Sequence, residues 1–303
     1  MDPISCLMMH CVPYLGERAI FRILQSSIQE GAALENFFRQ SQDAYEQKYG
    51  LRRRSVDYLF HGRHLIHQQA LQLFEELGLR DIKILTPWDT DYPERFLSTL
   101  EIPPPLLYLR GDETLLSRPT AAVVGSTGIS PEGLSYALAA ARTLIAAGYT
   151  LVTSRYRSVY NLSYQAGLES ARPVIVVWDR GILAERADSQ WSPKSSDLEL
   201  SVFRPHDAWI GHKSARRDQL IFALSDVVVA VELRPGGKID RESRRFLRLG
   251  RRVLTATERG SDSSLRHLLN AGAEPFDPTD LPGSLLGVLG GPKDRIKSSS
   301  RKL

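Results

Sequence analysis

The stretch TAAVVGSTGISPEGLSYALAAARTLIAAGYTLVTS, residues 120–154, decides the fold. Residues 121–124 are a short apolar run of the kind buried on both faces of a sheet. A turn of small residues, Gly125-Ser126-Thr127-Gly128, follows it. Ser130 is placed to cap a helix and Pro131 to open it: a serine oxygen takes an orphan N–H, and proline has none to orphan. Apolar residues then recur at helical spacing to Ala147, and Gly148 stops the helix. Residues 149–153 form the next strand, which completes one βαβ unit.

The alternation continues towards the C-terminus. Helices are predicted over 162–171, 214–224, 239–249 and 264–270, and strands over 174–178, 200–203, 227–231 and 253–255. Strands made of continuous Val and Ile, alternating with helices, predict an α/β, Rossmann-like, doubly wound and mostly parallel sheet. Towards the N-terminus, strands at 82–85 and 106–109 flank Pro103-Pro104-Pro105, which is extended because each ring fixes φ. The first sixty or so residues are helical. Val12-Pro13-Tyr14-Leu15-Gly16 enters a helix marked by Ala19, Ile20, Ile23 and Leu24, a pattern similar to helix-hairpin-helix modules. A second helical run over 56–77 carries His61, His64 and His67 on one face, but no cysteine joins them, and Arg63, Gln68 and Gln69 mark a wet surface. This divides the chain into a helical domain at 1–78, a sheet domain at 79–285, and a basic, serine-rich, disordered tail at 286–303.

Hydrophobic residues are 42% and charged residues 24%, which excludes disorder over most of the chain. No run approaches the roughly 18–20 apolar residues of a membrane span. The segment MDPISCLMMHC lacks a basic flank and a long apolar core, so no secretory leader is predicted, and a cytoplasmic location is expected. Two cysteines, Cys6 and Cys11, make neither a disulfide framework nor a four-ligand zinc site. The formal net charge of +4 permits an anionic partner without demanding one.

In a doubly wound sheet the ligand lies beyond the carboxyl ends of the strands, so the loops that follow strands carry the chemistry. Gly125 and Ser126 lie between a strand and a helix N-terminus, where small residues admit a phosphate and the helix dipole favours it. The pattern is neither the dinucleotide fingerprint nor a P-loop. In the second loop Arg155 and Arg157 flank Tyr156; guanidinium forks suit phosphates and an aromatic ring can stack a base. In the third, Lys213, Arg216 and Arg217 run into a helix. The fourth is Arg234-Pro235-Gly236-Gly237-Lys238, and beyond it Arg241, Arg244, Arg245 and Arg248 share one helical face. No nucleophile–base pair, metal cluster or carboxylate pair emerges from the sequence, and no cofactor is expected.

These segments, in this order, resemble the DNA-processing protein A (DprA, or Smf) family. The resemblance is carried by Asp91-Tyr92-Pro93, by Ile102-Pro103-Pro104-Pro105-Leu106-Leu107-Tyr108-Leu109-Arg110-Gly111-Asp112 and by Ala122-Val123-Val124-Gly125-Ser126. Further matches are Ala223-Leu224-Ser225-Asp226-Val227-Val228-Val229, Val231-Glu232, Gly250-Arg251-Arg252-Val253 and Ala271-Gly272-Ala273. It implies a SAM or helix-hairpin-helix N-terminal domain and a non-enzymatic protein that binds single-stranded DNA, helps load a RecA-type recombinase in natural transformation, and dimerises. The chain departs from the pattern at Thr127, where the family has arginine. It departs again at Ser154 and at Ser158, Val159 and Tyr160, where two glycines and an aspartate are replaced, and at Asp218-Gln219, where Asn-Arg is replaced. On this footing Arg155, Arg157, Lys213, Arg216 and Arg217 are expected to hold phosphates. Gly125 and Ser126 would offer backbone and hydroxyl contacts, Tyr156 would stack a base, and Lys238 would extend the track. Two rivals remain. One is a paralogue that has lost DNA binding and acts as an interaction protein. The other is a nucleotide sensor or phosphoribohydrolase-like enzyme, to which Pro235-Gly236-Gly237-Lys238 is similar but Ile239-Asp240 is not.

Overall fold

The computed structural model describes residues 1–155, 158–185, 194–256 and 265–290. Five helices come first: α1 (Pro3–Cys11), α2 (Glu17–Gln29), α3 (Gln42–Gln47), α4 (Arg53–His61) and α5 (Arg63–Gly78). The continuous helix expected over 56–77 is broken at Gly62, where the chain turns out of α4 with φ −99° and ψ 9° and restarts as α5. His61 therefore lies on one helix and His64 and His67 on the next.

The sheet follows as β1 (Lys83–Leu85), α6 (Glu94–Thr99), β2 (Leu107–Gly111), β3 (Thr120–Gly125), α7 (Pro131–Ala146), β4 (Thr150–Thr153), α8 (Ser158–Glu169), β5 (Val174–Val177), β6 (Leu198–Ser201), α9 (Lys213–Leu224), β7 (Val227–Glu232), α10 (Lys238–Arg248), β8 (Arg252–Ala256), α11 (Arg266–Asn270), β9 (Glu274–Phe276) and α12 (Leu281–Gly290). Among the described residues nine strands form one sheet in the order β1-β2-β6-β5-β4-β3-β7-β8-β9. Pairing is parallel from β6 to β9 and antiparallel at β1–β2 and β2–β6. Winding runs outward from β3 in one direction to β6, then returns through α9 to β7 and on to β9. The switch point is thus between β3 and β7, where a doubly wound sheet opens its crevice.

The motif residues hold this frame together. Ser130 caps α7 by accepting from Gly133 N–H at 3.0 Å, as its position predicts. Tyr92 donates to the Pro104 carbonyl at 2.9 Å and so ties the Asp-Tyr-Pro turn to the proline run. Gly111 has φ +108°, and a Cβ there would collide with the Asp197 carbonyl on β6's approach, so only glycine fits. Asp226 accepts from Thr120 N–H at 2.8 Å and from Arg95 at 3.1 Å, which locks β7 to β3 at the edge opposite the crevice. Residues 286–290, expected in the tail, instead complete α12, with Leu289 buried. Two apolar cores result. One lies around the central strands; the other gathers the N-terminal helices against Tyr108 and Leu106 of the β2 segment.

Candidate nucleic-acid interface

The crevice at the switch point is closed from within. The register of β3 against β7 slips after Val124, so that Gly125 faces Glu232 and Val231 is skipped. A bulge of this kind re-aims a side chain. Glu232 reaches the N-terminus of α7, where one carboxylate oxygen accepts from Ser130 N–H at 3.1 Å and Ser130 Oγ at 2.8 Å. A negative group at a helix N-terminus is favourable, and here the protein supplies its own. Ser126 is also used internally: its N–H donates to the Glu232 carbonyl and its hydroxyl accepts from Arg234 N–H at 2.6 Å. Gly125 is buried, and a Cβ there would approach Val159 Cγ2 to 2.9 Å and Ile129 Cδ1 to 3.2 Å. Its smallness is required by the packing of these side chains.

The third loop is corrected in the same sense. Arg217 is only 2% exposed. Its Nε meets Asp218 Oδ1 at 2.9 Å, its Nη1 meets Asp179 Oδ2 at 3.1 Å and Ser154 Oγ at 3.2 Å, and its plane covers the Tyr160 ring. Tyr160 donates to Asp218 at 2.8 Å. Burial works against the Arg217 charge, but Asp218, Tyr160 and Asp179 outweigh it and raise its pKa above the usual value. Lys213 is 5% exposed and donates to Asp207 at 2.8 Å and to the Ala208 carbonyl at 2.9 Å. Arg216 joins α9 to α2 through Glu17 at 3.0 Å and to the segment before β2 through the Ile102 carbonyl at 2.9 Å. Burial pushes the Glu17 carboxyl up, against the pull of Arg216. All three cations were expected to present charge to phosphates; each is instead spent on the fold, because a charge taken from water must be paired. Arg155 stacks on Tyr164 with 4.8 Å from guanidinium carbon to ring centre. Tyr156 and Arg157 lie outside the described residues.

Accessible positive charge is gathered elsewhere, between α9 and α10. A groove of about 300 Å³ is lined by Gln219, Lys238, Arg241, Arg245 and Arg248, with Asp218 and Glu242 at its floor. Asp218 is already held by Arg217 and Tyr160, and Glu242 by Arg245 at 2.5 Å. Arg245 is anchored further by the Thr99 carbonyl at 2.8 Å, and Arg244 is paired with Asp240 at 2.8 Å. Lys238, Arg241 and Arg248 are exposed and form no side-chain hydrogen bond or ion pair with any described residue. The arginine face read from the sequence is therefore divided: two arginines are tied down and two are free. Among the described residues of the expected site, Lys238 is the exposed one, at the N-terminus of α10. Sequence reasoning missed Asp179, which neutralises Arg217, and Trp209, which stands exposed before α9. An apolar Trp209-Ile210 pair in a loop otherwise rich in polar residues was the available signal.

These features define a Rossmann-like α/β protein whose open cationic surface lies beside, not inside, its switch-point crevice. Residues 83–276 match the model of the family described as DNA recombination-mediator protein A. The chain belongs to that family, the match covering more than half of its length. The fold is similar to the X-ray structure of DNA processing protein A from Streptococcus pneumoniae, at 18% identity and a TM-score of 0.69, over 92% of this chain and 95% of that one. It is also similar to DNA processing protein A from Helicobacter pylori, solved for its single-stranded DNA binding mode, at 21% identity and a TM-score of 0.56, over 68% of this chain and 96% of that one. At these identities the likeness is one of fold. No match to the chain was found among curated proteins. No helix among the described residues is long and apolar enough to cross a membrane.

Proposed function

We propose that this chain binds single-stranded DNA along the α9–α10 groove and acts in DNA processing by passing the strand to a RecA-type recombinase. The observation that supports it is the set of free cations Lys238, Arg241 and Arg248 around one groove, with the nearby carboxylates already neutralised. Phosphates that replace water and counterions there gain affinity from ion release. Arg155, at the carboxyl edge of the sheet, would extend the contact, and on the sequence reading so would Tyr156 and Arg157. Membership of a recombination-mediator family supports the recombinase partner and a homodimeric, cytoplasmic protein that is not an enzyme. A second reading is favoured by the closed crevice: the chain has traded its deep phosphate site for internal carboxylates and survives as an interaction protein.

Fluorescence anisotropy of a labelled single strand over a range of salt separates the two. Under the first reading, Lys238→Ala, Arg241→Ala and Arg248→Ala together lower the slope of log K against log salt by about 2, at roughly 0.7 per phosphate contact. A wild-type chain that binds no single strand at low salt leaves the second reading standing. Duplex of equal length competing as well as single strand would count against strand preference.

A further inference from the structure

Trp209 and Ile210 are 53% and 52% exposed, side by side in the loop that leads into α9. A tryptophan is the largest apolar side chain and is costly to leave in water, and Trp178 in the same fold is buried to 1%. Trp209 is also held in place. Its Nε1 donates to Ser214 Oγ at 3.2 Å, and Ser214 Oγ donates in turn to Asp179 Oδ2 at 3.1 Å, the carboxylate that pairs with Arg217. The exposed ring is therefore tied through Ser214 to the buried Asp179–Arg217 ion pair. The residue after Ser214, Ala215, lines the groove of free cations. Ser214, which holds the ring, and Ala215, which lines the groove, are consecutive residues in the first turn of α9.

We propose that Trp209 is a stacking platform for a nucleobase of a single strand whose phosphates lie in the α9–α10 groove, with Ile210 extending the apolar surface. The proposal rests on the single-strand reading above and assigns a residue to it. Three physical points carry it. A nucleic-acid strand alternates anionic phosphates with flat apolar bases, and here an exposed flat ring is held by Ser214, next in sequence to a residue that lines the cationic groove. The indole N–H is already satisfied by Ser214, so the ring meets a base through its π-face and not by hydrogen bonding; such contact tolerates any base. The hydrogen bond also holds the ring in one orientation, which reduces the conformational freedom lost when a base lands on it.

The test compares two oligonucleotides of equal length and phosphate count, one of thymidines and one with abasic tetrahydrofuran sugars in place of most of them. Wild type is expected to bind the thymidine strand about tenfold more tightly, the scale of one base–aromatic stack. Trp209→Leu should lose that preference and keep its affinity for the abasic strand and its salt slope, whereas Trp209→Phe restores part of the preference. The groove triple variant should weaken both ligands together. Quenching of tryptophan emission by the thymidine strand should fall in Trp209→Phe. If Trp209→Leu weakens both strands equally, or neither, Trp209 does not stack a base, even though the groove reading survives. If wild type binds neither strand at low salt, the groove reading fails and the stacking role with it.

Discussion

Two neighbouring helices spend the same residue type in opposite ways. On α9, Arg217 is buried between Asp179, Asp218, Ser154 and the Tyr160 ring, at the carboxyl edge of the sheet. On α10, Arg241 and Arg248 project into an open groove with no ionic partner among the described residues. The first arrangement neutralises the charge without a ligand, since Nε and Nη1 of the guanidinium meet protein acceptors. The second leaves charge that only an outside anion can neutralise. The difference teaches that cations at the edge where a Rossmann-like sheet ordinarily receives its ligand can be spent on structure, while those one helix outward stay open.

The largest effect should come from breaking the buried arrangement. Arg217→Met leaves Asp179 and Asp218 buried without their cation and should cost about 3–5 kcal/mol, the range for a buried pair deprived of one partner. Adding Asp179→Asn and Asp218→Asn should recover much of that loss. Urea unfolding followed by circular dichroism measures both. A single Arg217→Met variant within 1 kcal/mol of wild type, on the order of an ordinary surface change, would show that the network is loose and the comparison wrong.

A buried ionisable group without a counter-charge behaves differently again and sharpens the rule. His10 is buried, with Nδ1 at 2.8 Å from the Tyr108 hydroxyl, and burial, helped by Arg204, lowers its pKa to about 3. The folded chain keeps this ring neutral while the unfolded chain protonates it near pH 6.5. Stability from this group is therefore complete above about pH 6.5 and declines as pH falls towards 3, by at most about 1.4 kcal/mol per pH unit. His10→Gln should flatten that part of the curve relative to wild type. Parallel curves between pH 6.5 and 4 would mean that the ring is protonated in the fold.

How much of this was legible follows from where the partners lie. The Val and Ile runs of β3, β4, β5 and β7 and the Ser130 cap are local signals, and the structure has them within a residue or two of their expected bounds. Strand β6 was expected two residues late because it contains Glu199, a buried carboxylate paired with Arg110 and Trp178 at 2.6 and 2.9 Å. Strand β9 was missed because Pro275 sits inside it, which only an edge strand tolerates. The site was less legible for a physical reason. Whether an arginine is a ligand or a strut depends on carboxylates that the fold delivers from elsewhere, and Asp179 lies 38 residues from Arg217. Composition of the loop alone looks the same in both cases. On α10 the deciding acids, Asp240 and Glu242, are local, yet nothing in the spacing shows that they choose Arg244 and Arg245 and leave Arg241 and Arg248 free.

An intermediate case lies at the crevice itself. Glu232→Gln keeps the size of the cap but removes the negative charge from the N-terminus of α7 and weakens its acceptance from Ser130. The expected loss is about 1–2 kcal/mol, combining a helix-terminus charge and a charge-assisted hydrogen bond. The smaller Glu232→Ala leaves the same N–H and hydroxyl open to an external anion, so inorganic phosphate should then raise its melting temperature more than that of wild type. Equal shifts by phosphate in both proteins would show that Glu232 does not occupy an anion site.

The smallest stability effect should belong to the groove, and that is where the comparison is most exposed to failure. Lys238, Arg241 and Arg248 touch no described side chain through a hydrogen bond or ion pair, so their joint replacement by alanine removes self-repulsion along with charge. Each change should lie within about 0.5 kcal/mol of neutral, and their sum should be small or slightly stabilising. Binding should respond in the reverse order: the triple variant loses most of the salt-dependent affinity for a single strand, whereas Arg217→Met, measured where it remains folded, loses little. The two observables are then anticorrelated across the two helices, with stability carried by α9 and affinity by α10. Should Arg217→Met abolish binding at temperatures where its circular dichroism matches wild type, the buried arginine opens to meet DNA, and the division of labour between the helices is lost.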